Sequence, residues 1–274
     1  MIGRGFQEQE ITAPLSEADI RSGLVTKRIG TAVHLFQSVD STNDEAQALA
    51  VRGAQEGAVV IADSQRHGRG RMGRVWASPP GVGVYLSVVL RPAIPPHDAP
   101  SLALLAAVAV AEAIEEVAGL AARIKWPNDL IVRGRKVGGV LGEVAADASH
   151  LHYVIVGMGI NVNQTEESFD GELRHTATSL RIETGRSLDR TALIRSLCEA
   201  LDRWYDRFLS EGPAPVLERL RRSCLTLGRQ VVVRSGDQEL RGLAVDLDGS
   251  GALLIQAADQ GLHRLFAGDV TLTG

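Results

Sequence analysis

The 274 residues, 45% hydrophobic and 23% charged, are enough for one large globular unit with a small satellite. A formal net charge of −4 argues against a general nucleic-acid coat, and two cysteines exclude a disulfide framework. The most apolar run, 102–110, is interrupted soon afterwards by Glu112, Glu115 and Glu116, so it is too short to demand a bilayer. The polar, acidic N-terminal stretch does not read as a secretory signal, and a cytoplasmic setting follows.

In chain order, residues 1–11 are polar and are expected to be poorly ordered, and 14–25 hold one short helix with Ser16 as its N-cap. A first strand is expected over 31–36. Ser41 or Thr42 then caps a helix over 46–51, and Asp44 or Glu45 sits in its first turn, where a carboxylate is favoured. The same hydroxyls could instead form a polar wall facing a ligand. Strand 57–63 feeds the stretch Gln65, Arg66, His67, Gly68, Arg69, Gly70, Arg71, Met72, Gly73, Arg74, Val75, Trp76. Arginine forks suit phosphate or carboxylate oxygens, glycines let backbone approach a ligand closely, and Trp76 can cover a base. This loop reads as the surround of a small, highly anionic molecule. A solvated turn and a nucleic-acid contact are the competing readings.

A strand over 83–90 precedes an Ala/Leu-rich helix over 99–117 closed by Gly119. Residues 123–132 read as strand, Pro-broken corner and strand, with Asn128 and Asp129 either as turn formers or as oxygen donors to Mg2+ near phosphates. After a hairpin turn at Gly134 and Arg135, strand 136–144 opens on Lys136 and carries Gly138, Gly139 and Gly142. Glycine weakens a strand, so three within five residues suggest that something lies against it. Strand 151–160 ends in Gly157, Met158, Gly159, Ile160, Asn161, where a lone GxG is no dinucleotide fingerprint. Residues 164–174 read as a polar loop, and the hydroxyls of 176–180 have no evident purpose. Asp189 caps a helix over 190–209, and another helix spans 214–224. Beyond Leu227, short strands at 230–234, 240–247, 252–256 and 262–266 alternate with turn signals at Gly236-Asp237, Asp248-Gly249 and 258–261, which reads as a small β-barrel. Neither the seven scattered histidines nor the cysteines have convincing metal-ligand spacing.

The motifs Ser41-Thr42-Asn43, 68–76, 125–129, 136–141 and 157–163, in that order and at those separations, resemble the biotin protein ligases. The resemblance implies an α+β fold. Its mixed β-sheet backed by helices is of the class II aminoacyl-tRNA synthetase/biotin ligase kind, with a C-terminal SH3-like β-barrel. It divides the chain into a short extension (1–30), a catalytic unit (31–225) and a C-terminal unit (226–274). Too few residues precede the first strand for the winged helix of the family's repressor members, so DNA binding is not expected.

The implied activity joins biotin to AMP at the cost of ATP, with Mg2+, and passes biotin to a lysine of the biotin carboxyl carrier domain of an acetyl-CoA or acyl-CoA carboxylase. Lys136, Arg69 and Arg71 would be catalytic. Ser41, Thr42, Asn43 and Gln65 would line the biotin end, with backbone from Gly68, Gly138 and Gly139. Arg74 would meet the ATP phosphates, Trp76 the adenine, Asn128 the nucleotide, Asp129 the metal and Asn161 the adenylate. A monomer or weak homodimer is expected. A lipoate or octanoate ligase on the same scaffold is the alternative enzyme, and a nucleic-acid module using the arginine loop the alternative of another class.

Overall fold

The structure, a computed structural model, describes residues 14–235, 238–258 and 261–273. The expectation for residues 1–11, the Gly236-Asp237 turn and the middle of the 258–261 turn lie outside the described residues. Helix α1 (Glu17–Ser22) starts where Ser16 Oγ accepts from the Asp19 amide, as expected of a cap. Strand β1 (Val33–Val39), helix α2 (Thr42–Val51) and strand β2 (Val59–Gln65) make a parallel crossover. Strand β3 (Gly83–Leu90), helix α3 (Pro100–Ala118), strands β4 (Arg123–Lys125), β5 (Asp129–Val132), β6 (Arg135–Ala146) and β7 (Leu151–Asn161) follow. The seven strands form one mixed sheet in the order β1-β2-β3-β7-β6-β5-β4, parallel only between β1 and β2.

After β7 come helices α4 (Leu173–Thr176), α5 (Leu180–Thr184), α6 (Arg190–Glu211) and α7 (Ala214–Ser223). The α6 cap is Asp189, accepting from the Thr191 amide, and Gly119 closes α3 in the left-handed region at φ 66°. Helix α3 is apolar around nearly its whole circumference because it lies between the sheet and α6. The other face of the sheet is covered only in part. Ala46 and Ala50 of α2 pack there on Val60, Val89 and Ile155. The rest of that face is left for the cleft. No helix among the described residues is long and apolar enough to cross a membrane.

The C-terminal expectation needs correction. Strands β8 (Gln230–Ser235), β9 (Gln238–Leu247), β10 (Leu253–Ala257), β11 (Leu262–Leu265) and β12 (Asp269–Leu272) form an open five-stranded sheet in the order β11-β10-β9-β8-β12. A barrel requires its edge strands to pair with each other. Here β11 and β12 are opposite edges, so this is not an SH3-like barrel. Short strands separated by turn signals look the same in an open or a closed sheet, and β12 itself was not expected.

Trp126 joins the two sheets. Its ring is buried, its amide donates to Thr226 Oγ1 at 3.0 Å and its indole Nε1 donates to the Gly251 carbonyl at 3.0 Å. Trp126→Phe keeps an aromatic side chain but removes the pyrrole ring with its N–H, leaving that carbonyl without its donor. It is expected to lower unfolding free energy by about 1–3 kcal/mol in chemical denaturation. An unchanged midpoint would show that the indole bond does not hold the sheets together.

Candidate active site

The sheet's half-covered face carries a cavity of about 390 Å³. Its floor follows from strand parity. Side chains alternate faces along a strand, so Gly157 and Gly159 on β7, Gly139 and Leu141 on β6 and Asp129 on β5 share the face bearing Ser87 and Tyr85 of β3. Gly139 pairs with Gly159, and three glycines in adjoining strands leave a strip without side chains. That strip lets neighbouring groups lie on the sheet. A Cβ on Gly157 would stand 2.1 Å from Asn43 Oδ1, and one on Gly159 would stand 2.5 Å from Trp76 Nε1.

At one end stands the N-terminus of α2. Ser41 occupies the N-cap position but makes no side-chain cap bond, contrary to expectation. Gln65 instead takes the Thr42 amide on its Oε1 at 2.8 Å, while its Nε2 donates to Ser78 Oγ at 2.8 Å. Ser87 Oγ donates to Asn43 Oδ1 at 2.6 Å, and Asn43 Nδ2 donates to Glu143 Oε2 at 2.8 Å.

The arginine loop is a closed hairpin. The Gln65 amide donates to Ser78 O, the Trp76 amide to Gly68 O and the Gly70 amide to Arg74 O. A one-turn 3-10 segment, Arg71–Gly73, forms the tip. Gly68 is where the two legs meet: a Cβ there would stand 2.3 Å from the Trp76 carbonyl oxygen.

The cations are held in different ways. Arg69 is tied to Asp44 at 2.6 Å and to Glu143 at 2.9 Å, and the Asp44 bond raises its pKa. Arg74 pairs with Asp269 on β12, and that bond holds the Asp269 carboxyl below the usual range. Lys136 Nζ lies 2.5 Å from Asp129 Oδ1 and 5.6 Å from the Trp76 ring centre. Arg71 has only neutral acceptors, Asn128 Oδ1 at 3.1 Å and Gly268 O at 3.4 Å. Burial pulls its pKa below the ordinary value, though a guanidinium stays charged. Among the described residues neither Arg71 nor Lys125, which also lines the cavity, has a carboxylate within ion-pair distance.

The far end is uncharged. Asn161, Gln164, Phe169, Leu173 and Ala177 line it, and the chain from Gln164 returns to the start of β6 through the Ala177–Lys136 bridge. Thr178, one of the unexplained hydroxyls, donates its amide to Lys136 O at 2.9 Å and its Oγ1 to the buried Glu183 at 2.7 Å.

Of the residues singled out in the sequence, Ser41, Thr42, Asn43, Gln65, Arg69, Arg71, Arg74, Trp76, Asn128, Asp129, Lys136, Gly139 and Asn161 line this one cavity. Gly68 and Gly138 do not. Gly138 pairs with core-facing Leu130 and Ile160, on the other side of the sheet. Sequence reading missed Glu143, Asp269 and Gln164. Glu143 was within reach, because two-residue steps from Gly139 place it on the cleft face. Asp269 was not, because its strand went unrecognised.

Among the described residues no cluster of three or more His, Cys, Asp or Glu could hold a metal ion. A cation near phosphates needs less, since Mg2+ commonly takes one or two carboxylates and fills its shell from phosphate and water. The cavity lining supplies two carboxylates, Asp129 and Asp269, of which Asp269 is committed to Arg74.

Residues 35–161 match the model of the biotin/lipoate A/B protein ligase family, and residues 226–272 match that of the biotin protein ligase C-terminal domain. The chain is 38% identical to the bifunctional ligase/repressor BirA of Bacillus subtilis, over 98% of its own length and 82% of the relative's. It is 33% identical to a biotin–[acetyl-CoA-carboxylase] ligase of Mycobacterium tuberculosis, over 94% and 95%. Among solved structures, the biotin protein ligase of Aquifex aeolicus in complex with biotin and ATP superposes with a TM-score of 0.75 at 30% identity, covering 89% of this chain and 99% of the other.

Gly159→Ala puts a methyl where the Trp76 ring lies, so the ring must leave the sheet. Trp126 and Trp204 are buried and should report little change. The expected result is a red-shifted tryptophan emission with intact circular dichroism. Emission identical to the parent would mean that Trp76 does not rest on Gly159.

Proposed function

The chain belongs to the biotin protein ligase family, and on that premise we propose that its cleft condenses biotin with ATP to biotinyl-5'-AMP and then transfers biotin to a lysine of a biotin carboxyl carrier domain. The observation that carries this reading is the gathering of Arg69, Arg71, Arg74 and Lys136 over one glycine-floored strip. In the first step a carboxylate oxygen of biotin forms a bond to the α-phosphorus, the bond from that phosphorus to the bridging oxygen breaks, and pyrophosphate leaves. Two anions must meet for this, and fixed cations lower the barrier most where charge builds up in the transition state. In the second step a neutral acceptor amine attacks the anhydride carbonyl, AMP leaves and the nitrogen loses a proton.

The layout suggests an order along β7, whose residues two apart stand about 7 Å from each other. Biotin's ring system takes the end near Gly157, with Ser41, Thr42, Asn43 and Gln65 as its polar neighbours. The reacting groups meet in the middle beside Lys136, Arg69 and Arg71. The nucleotide extends toward Trp76 and Asn161, with Arg74 and Asn128 on its phosphate side. Asp129 is the residue that would hold Mg2+, which when bound supplies charge to the phosphates. Arg71 and Lys125, lacking carboxylate partners, are the cations that can accept an anion without giving one up. The other three cations must exchange protein carboxylates for ligand oxygens, and their pairs are exposed enough that the exchange costs little.

Residues 31–225 would carry the chemistry and 226–274 would wall the cleft through Gly268 and Asp269. The acceptor would be a carrier domain of an acetyl-CoA or acyl-CoA carboxylase, in the cytoplasm, and the ligase a monomer or weak homodimer. Incubation with labelled biotin, MgATP and such a carrier domain should add one biotin to the acceptor, read by mass. Activity with lipoate alone would select the other branch of the family. Lys136→Ala should cut biotin-dependent ATP–pyrophosphate exchange by about 10²–10³-fold, the usual effect of losing a transition-state charge donor. Exchange at the parent rate in that variant would remove Lys136 from the chemistry.

A further inference from the structure

Three buried side-chain polar atoms lack a hydrogen-bond partner among the described residues: Trp76 Nε1, Gln164 Oε1 and Arg190 Nε. The first two belong to residues that line the cleft. Gln164 is 3% exposed, and no role has been given to it above. Buried acceptors without donors are rare and destabilising, so this one needs an explanation.

The direction of the Gln164 amide is fixed by a relay. Asn161 Nδ2 donates to the Thr178 carbonyl at 3.0 Å, which turns Asn161 Oδ1 toward Gln164. Gln164 Nε2 donates to that oxygen at 3.2 Å. Flipping the Gln164 amide would set two acceptors against each other. Ser179 Oγ donates to the Gln164 carbonyl at 2.6 Å and pins the backbone. The relay therefore ends on an oxygen that can only accept.

This oxygen belongs to the end of the cleft lined by Asn161, Phe169, Leu173 and Ala177, side chains that carry no charge. A ligand group suited to that end is flat, uncharged and carries an N–H. We infer that Gln164 is a specificity-determining residue that accepts a hydrogen bond from the exocyclic amino group of a 6-aminopurine and disfavours 6-oxopurines, which present an acceptor there. The inference rests on the nucleotide reading of the site under Proposed function. Gln164 Oε1 is covered in the structure, so the base would reach it only as the lining of this end parts.

The test compares biotin-dependent pyrophosphate exchange with ATP and with ITP, its 6-oxo counterpart, in the full chain. The parent should favour ATP by about 10²-fold or more in kcat/KM, as sites built around a substrate N–H do. Gln164→Leu should lower kcat/KM for ATP about tenfold or more, mainly through KM, and leave ITP within about threefold. Biotin affinity, measured by calorimetry, should not move. In the parent chain, purine riboside triphosphate, which lacks the 6-amino group, should also fall well below ATP in kcat/KM, a readout that needs no variant and keeps the inference testable if the leucine variant folds poorly. Equal losses with both nucleotides, or no change in the ATP:ITP ratio in Gln164→Leu, would overturn it. A parent chain with no exchange on either nucleotide would instead overturn the ligase reading, and this inference with it.

Discussion

A strip of sheet without side chains governs the rest of the cleft. Gly139, Gly157 and Gly159 lower the floor over three adjoining positions, and only there can an indole, an amide and a bound acid lie close to backbone. Each glycine costs the sheet some stability. The cost is offset on the other face, where α3 and α6 bury a large continuous core. One face of the sheet thus supplies stability and the other supplies room.

Charge is arranged around that room so that it does not destabilise the fold. The five basic side chains that line the cavity, Arg69, Arg71, Arg74, Lys125 and Lys136, would repel one another if left bare. Asp44 and Glu143 neutralise Arg69, Asp129 neutralises Lys136, and Asp269 neutralises Arg74. Partly exposed pairs of this kind add little to stability, and for the same reason they can be exchanged for ligand oxygens. The Asp269 pair also ties the loop to the C-terminal sheet, and the Trp126 indole ties that sheet to the corner before β5. The small C-terminal sheet therefore shapes the cleft and is not an independent appendage.

Much of this was legible in the sequence, for physical reasons. Strands such as Gly83–Leu90 and helices such as α6 announce themselves by β-branched runs, by helical periodicity and by caps. The arginine loop and the glycine-bearing strands were visible because both residue types are costly without a purpose. Long-range partners were harder. Asp269 meets Arg74 across nearly two hundred residues, and nothing local to either marks the other. The open C-terminal sheet was mistaken for a barrel because closure depends on which edges pair, a property of register and not of composition. Gly138 and Gly139 enter together through the resemblance, as backbone contacts, and strand alternation puts their Cα–H directions on opposite faces. Gln164 has no signature in sequence, because its interest lies in an oxygen that burial leaves without a donor.

The central claim is that a single strip along β7 holds an acid, a reacting pair and a nucleotide in series, with Lys136 at the middle. A crystal structure with a non-hydrolysable analogue of biotinyl-adenylate tests it most directly. The account predicts the biotin rings over Gly157 beside Asn43, the base between Trp76 and Asn161, and Lys136 Nζ within hydrogen-bonding distance of the linking phosphate group. A ligand lying in the reverse direction, or a Lys136 that stays on Asp129 and touches no ligand atom, would contradict it.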